Sequence, residues 1–236
     1  MNARALFQAG KLNEAIESLG AELRSNPTDA QRRTFLFELL CFAGEFDRAD
    51  KHLDVLAGAG KEAAMGTLLY RSAIHAERTR RQMFTSGSFP GGTAAPVRGT
   101  INGKPFTTLT DADPRIGARL EIFAAGAYTW LPLEHVTTLQ MGAPSRLRDL
   151  LWSPVRVITA PSFKGLELGE VLLPVLAPRT PESDDDNVRL GRMTEWVRWE
   201  DGTEAPVGQK LLLVDGEEFP LLELRELQIT PAASAA

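Results

Sequence analysis

Gly10-Lys11-Leu12-Asn13-Glu14-Ala15 and Gly44-Glu45-Phe46-Asp47-Arg48-Ala49 are two copies of one pattern, 34 residues apart. The same offset relates Leu19 to Leu53 and Leu6 to Leu40. Each copy places a Gly at a turn, a large apolar residue two positions on, and a small Ala three positions after that. A small side chain at a helix crossing lets paired helices approach closely, which gives Ala15 and Ala49 a steric role. The apolar residues Leu12, Ala15, Ile16, Leu19 and Leu23 recur at helical spacing. This stretch predicts two consecutive helical hairpins.

The period and partial signature are those of a tetratricopeptide hairpin, with an ordinary helical hairpin as the alternative. Outward from the repeat, residues 1–9 supply a short first helix with Leu6 and Phe7 as its apolar part. Ser25-Asn26-Pro27 stops the next helix, and Thr28 with Gln31 forms a candidate capping box. The helix over about 29–43 is apolar on more than one side (Phe35, Leu36, Phe37, Leu39, Leu40, Phe42), so it needs neighbours on both flanks. After Gly44, 46–57 closes the second hairpin. A capping helix is expected from about Glu62 to Met83, ending in Arg78, Arg80 and Arg81. A solvated helix end is preferred over a phosphate site for these arginines, because cations suit the negative end of a helix.

Composition changes at Thr85. The Gly-, Ser- and Pro-rich stretch to Pro96 reads as a linker. Beyond it the helical period gives way to strands at Val97–Ile101, Phe106–Leu109, Arg119–Phe123, Ala127–Leu131, His135–Gln140, Val155–Thr159, Glu170–Val175, Thr194–Glu200, Lys210–Val214 and Leu221–Ile229. Asn102-Gly103 is a hairpin turn by composition, and Glu200-Asp201-Gly202 and Asp215-Gly216 offer two more. Short spacings favour antiparallel pairing. Ser145–Trp152 forms a short helix whose Leu147, Leu150 and Trp152 are expected in the core of the C-terminal unit. The fold class is therefore α+β: tetratricopeptide-like hairpins over 1–84, a linker over 85–96, an antiparallel-rich β unit with a short helix over 97–230, and a tail over 231–236.

The chain has 236 residues, 43% hydrophobic and 24% charged, with a net charge of -5 and a pI near 5.4. That balance suits a globular protein and argues against a nucleic-acid platform, which needs a concentrated positive field. No apolar run is long enough for a membrane span, and no signal-peptide core follows Met1, so a cytoplasmic location is expected. The single cysteine, Cys41, lies among Leu39, Leu40 and Phe42 and reads as a buried thiol.

Catalytic chemistry is hard to find. His52, His75 and His135 are scattered, without metal-ligand spacing, and no nucleophile elbow or phosphate loop is present. No cofactor or metal is expected. The acidic run Glu182–Asp186 lacks a calcium-loop pattern and reads as a solvated, mobile loop. Asp111 and Asp113 suit a turn in which carboxylates cap backbone amides. With Glu134 they also supply the carboxylates for an enzymatic alternative. An enzyme would gather these groups in one pocket, whereas an adaptor would show an elongated apolar groove.

Several stretches are more specific. They are Asp111-Ala112-Asp113, Tyr128–Glu134, Pro144–Trp152, Leu190-Gly191-Arg192 with Glu195-Trp196, and Pro220–Leu227. Through them, over nearly its whole length, the chain resembles the ImpE/TagJ (SciE-type) accessory proteins of bacterial type VI secretion systems. The resemblance implies a non-enzymatic accessory of the contractile sheath that binds the N-terminal helix of the small sheath subunit. It also implies an association with the AAA+ ATPase that disassembles the sheath. A general tetratricopeptide-type chaperone or scaffold is the alternative. Independently of that resemblance, a helical-repeat surface suits helix-in-groove recognition. The repeat register places Thr34, Glu38, Cys41, Met65, Leu68, Ser72 and His75 on its concave face.

Overall fold

Two left-handed glycines build the N-terminal unit. Gly10 (φ 76°) separates α1 (Ala3–Gln8) from α2 (Leu12–Ser25), and Gly44 (φ 70°) separates α3 (Ala30–Phe42) from α4 (Phe46–Ala57). Leu12, Ala15, Leu19, Ala49 and Leu53 are all buried in the crossings, as the repeat requires. In this computed structural model the described residues are 2–161, 163 and 168–230; the tail over 231–236 lies outside them. The α3 cap is Asp29 rather than Thr28. Its carboxylate accepts the Arg32 amide at 2.9 Å, because the helix starts one residue later than the capping box assumed.

The third helix is longer than its apolar pattern indicated. α5 runs Lys61–Ser86 and stops at Gly87, whose left-handed backbone (φ 67°) suits a helix C-terminus. Packing of its second half against the β unit replaces the regular periodicity as the reason for its length. The stretch read as a linker also packs, since Phe89 stacks on Trp130 with ring centroids 5.6 Å apart.

The strands are β1 (Gly99–Ile101), β2 (Lys104–Phe106), β3 (Leu109–Asp111), β4 (Arg119–Ala124), β5 (Ala127–Pro132), β6 (Val136–Met141), β7 (Trp152–Thr159), β8 (Gly169–Pro174), β9 (Thr194–Arg198), β10 (Glu204–Gly208), β11 (Leu211–Val214), β12 (Glu217–Pro220) and β13 (Glu226–Ile229). Among the described residues they form an eight-stranded sheet, β2-β1-β13-β6-β7-β8-β4-β5, a three-stranded sheet, β12-β11-β3, and the β9–β10 ribbon. Every described pairing is antiparallel. The Asn102-Gly103 and Asp215-Gly216 turns fall where expected, both residues of each at positive φ. Three strands escaped the sequence reading. The strand expected over Phe106–Leu109 straddles the break between β2 and β3, β10 carries Pro206, and β12 is followed by a 3-10 turn, Leu221–Glu223, that breaks the long strand expected there.

Two apolar clusters result. One lies within the β unit, around Leu139, Ile122 and Leu109. The other joins the helices to Ile116, Phe123, Tyr128, Trp130, Leu151, Trp152 and Leu176. Trp152 is buried as expected, but in the second cluster, against the helices. Leu147 and Leu150 are only partly buried there. A short helix lying between two units faces both, and its own periodicity does not say which one dominates.

A segment of the β unit reaches back to the hairpins. The acidic run is not wholly solvated: it links a 3-10 turn, Thr180–Glu182, to the short helix α6 (Asp186–Arg189), and its last residue is docked on the hairpins. Asp186 accepts the Leu12 amide at 2.7 Å and the Asn13 amide at 3.3 Å, so it caps α2 from outside. Arg192 donates to the Phe7 and Gln8 carbonyls at the end of α1, at 2.7 and 3.0 Å. Pro181 sits 2.7 Å from where a side chain on Gly44 would start, and Asn187 crowds Gly10 in the same way.

Candidate functional site

The seam between helices and sheet holds the strongest chemistry. Arg80 belongs to the arginine cluster expected in solvent, yet it is almost fully buried. It projects from α5 and grips Glu121 of β4 through two bonds, Nε at 2.8 Å and Nη2 at 2.9 Å, while Nη2 also donates to the Leu176 carbonyl. Lys210 pairs with the same carboxylate at 2.5 Å and with Asp111 at 2.6 Å. Tyr128 donates its hydroxyl to Glu121 at 2.5 Å and accepts from the Trp130 indole. Beside them Trp152 Nε1 donates to Glu77 at 3.0 Å.

The charges tune one another. Burial alone would raise Glu121, but Arg80 and Lys210 hold it far below the usual carboxylate range. Asp111 is pushed up to about 6 by burial and by Glu121, with Lys210 opposing. Asp113 is tied to Arg115 at 2.7 Å and caps the Arg115 amide at 3.0 Å, so the turn reading of these aspartates holds beside their ion pairing. Glu134 is exposed on a separate 3-10 turn, Leu133–His135, and does not join them. The buried acids are thus engaged in ion pairs and turns rather than facing an open pocket. No group of His, Cys, Asp and Glu among the described residues is arranged to hold a metal ion, and no described helix is long and apolar enough to cross a membrane.

Accessible surface lies on either side of this seam. A concave hollow of about 560 Å³ is lined by Arg4, Phe7, Thr34, Phe35, Glu38 and Leu147. A second hollow, of about 320 Å³, opens between α5 and the sheet, with Tyr70, Phe123, Trp152 and Leu172 in its apolar lining and Arg148, Asp149 and Glu170 as charged members. Adjacent residues Leu147 and Arg148 connect the two, and Arg148 is anchored to the Tyr70 hydroxyl at 2.7 Å. Next to the second hollow, α5 leaves three large apolar side chains bare: Met65 at 68%, Leu68 at 58% and Leu69 at 71% exposure.

The residues expected on the concave face therefore divide. Thr34 and Glu38 line the first hollow, Ser72 lines the second, Met65 and Leu68 form the bare ridge, and His75 is exposed. Cys41, at 2% exposure, lies beneath this face and offers no surface. Leu69, Tyr70, Phe123, Arg148 and Leu172 were missed. The repeat register signals only one helix face, and three of these residues come from the β unit.

Helical hairpins locked by buried charges to an antiparallel β unit, with a bare apolar ridge beside the lock, define a two-part α+β protein. The chain belongs to the ImpE family. The family model described as ImpE protein matches residues 103–228, within the β unit. The chain is 34% identical, over 98% of its length and 92% of the relative's, to a protein of Pseudomonas aeruginosa named type VI secretion system accessory component TagJ. A crystal structure of a Vibrio parahaemolyticus protein shares the fold, with a TM-score of 0.85 at 23% identity over 99% of each chain.

Proposed function

We propose that this protein is a non-enzymatic accessory component of a type VI secretion system that acts as a cytoplasmic adaptor for the contractile sheath. In this reading it takes the amphipathic N-terminal helix of the small sheath subunit along the α5 ridge and into the adjoining hollow, and so serves sheath assembly and recycling by the AAA+ ATPase. The name of the Pseudomonas relative supports the secretion context. The observation that carries the binding mode is the row of bare Met65, Leu68 and Leu69 beside a hollow lined by Tyr70, Phe123, Trp152 and Leu172. Apolar anchors one turn apart, next to an aromatic-lined recess, are what helix-in-groove recognition uses. Methionine adds an adaptable surface.

Calorimetric titration with the sheath-subunit helix as a peptide tests this. Leu68→Glu puts a carboxylate in the interface, and desolvating it unpaired costs several kcal/mol, or at least ~100-fold in affinity. The substituted position is already exposed, so the fold is expected to survive. Unchanged affinity in a folded Leu68→Glu protein would remove the ridge from the site.

A further inference from the structure

Glu38 differs from the other acids near the seam. Glu121, Asp111, Asp113 and Glu77 each have a cation or a hydrogen-bond donor within reach. Asp149, on the turn facing Glu38, accepts the Ser145 and Arg146 amides at 2.9 Å. Glu38 is half-buried in the middle of α3 and, among the described residues, makes no ion pair and no hydrogen bond. It faces an open hollow instead. We propose that the concave hollow selects a basic side chain, lysine or arginine, on the helix this protein binds, and that Glu38 is the carboxylate that receives it. The proposal rests on the adaptor reading above and specifies its partner's chemistry.

The surroundings fit that occupant. Phe7 and Phe35 meet edge to face, with centroids 5.6 Å apart, and line the hollow beside the carboxylate. A long basic side chain lays its aliphatic stem on such a wall while its charge reaches the acid. Arg192 already lies over the Phe7 ring at 4.9 Å, but among the described residues no cation of the protein is ion-paired to Glu38. Arg148 is turned to the Tyr70 hydroxyl and lies over its ring at 5.4 Å, with Asp149 as its nearest acid at 3.9 Å. Arg4, on α1, also lines the hollow, but it is exposed and makes no ion pair with Glu38. Beneath Glu38, on its own helix, lies the neutral Cys41 thiol, which burial pushes up.

The unpaired state has a cost that a cation would relieve. Burial pushes the Glu38 carboxyl up to about 7, with Arg148 opposing and Asp149 adding. A bound cation favours the ionised form, so binding releases a proton wherever Glu38 is protonated in the free protein. Affinity then rises with pH through 7 and levels off above it, changing about tenfold between pH 6 and pH 8.

The test titrates the sheath-subunit peptide and a series in which each Lys or Arg in turn is replaced by Gln, against the wild-type protein and Glu38→Gln. One cationic position is expected to lose about tenfold with wild type and nothing further with Glu38→Gln, whose affinity no longer follows pH. Circular dichroism of Glu38→Gln confirms that it is folded. Binding of the parent peptide without any coupled position overturns the Glu38 assignment and leaves the adaptor reading intact. Coupling to the peptide's amino terminus alone, abolished by acetylation, also overturns it. If the parent peptide does not bind at all, the adaptor reading falls and takes this proposal with it.

Discussion

Trp152 shows how one residue joins two layers. Its ring is buried among helix residues, its backbone begins β7, and its indole N–H reaches Glu77 on α5 at 3.0 Å. Truncation to alanine removes a large apolar contact and leaves the Glu77 carboxylate, already raised by burial, without that donor. Trp152→Ala is expected to cost about 3–5 kcal/mol. A melting curve superimposable on wild type would contradict the burial described here. Glu38 and Glu121 make the complementary point. Both are glutamates near the seam, but Glu121 is ion-paired to two cations and Glu38 has only the weaker pull of Arg148, so burial loses at the first position and wins at the second.

At the scale of elements, the repeat glycines have two reasons to be glycine. Each adopts a left-handed backbone that disfavours a Cβ, and each is overlain by the segment that descends from the β unit. That segment caps α2 through Asp186, a role that α2's own N-cap residue, Lys11, does not fill with its side chain. Asp186→Ala should therefore destabilise the first hairpin by about 1 kcal/mol. Hydrogen exchange is the direct measurement. The Leu12 and Asn13 amides should exchange faster while those of α4 stay unchanged, and equal protection in both proteins would show that the cap contributes nothing.

Across the whole molecule, the shared cluster and the Arg80–Glu121 pair make the two units interdependent. Residues 97–230 expressed without the helices would bare Phe123, Tyr128, Trp130 and Trp152 and leave Glu121 with Lys210 but no Arg80. Removing one partner of a buried ion pair typically costs about 3–5 kcal/mol, and lost apolar burial adds to it. The isolated unit is expected to show no cooperative thermal transition. A sharp transition for that fragment at the temperature of the whole chain would establish it as a separate folding domain.

The hairpins, most strands and the glycine turns were legible in the sequence because they follow from contacts between near neighbours. Helical spacing, strand alternation and an Asn-Gly turn are encoded within a dozen residues or so. The antiparallel α+β class followed from the same local signals. Arg80, Asp186 and the seam hollow were not legible, because what decides them lies far along the chain. Arg80 meets a carboxylate 41 residues away and Asp186 an amide 174 residues away. A charged residue at a helix end or in an acidic run is solvated by default, and only a partner brought by the fold makes its burial or docking favourable. The sequence determined which elements form. The tertiary structure decided which charges are paired and which apolar side chains remain bare, because both depend on partners brought together from distant parts of the chain.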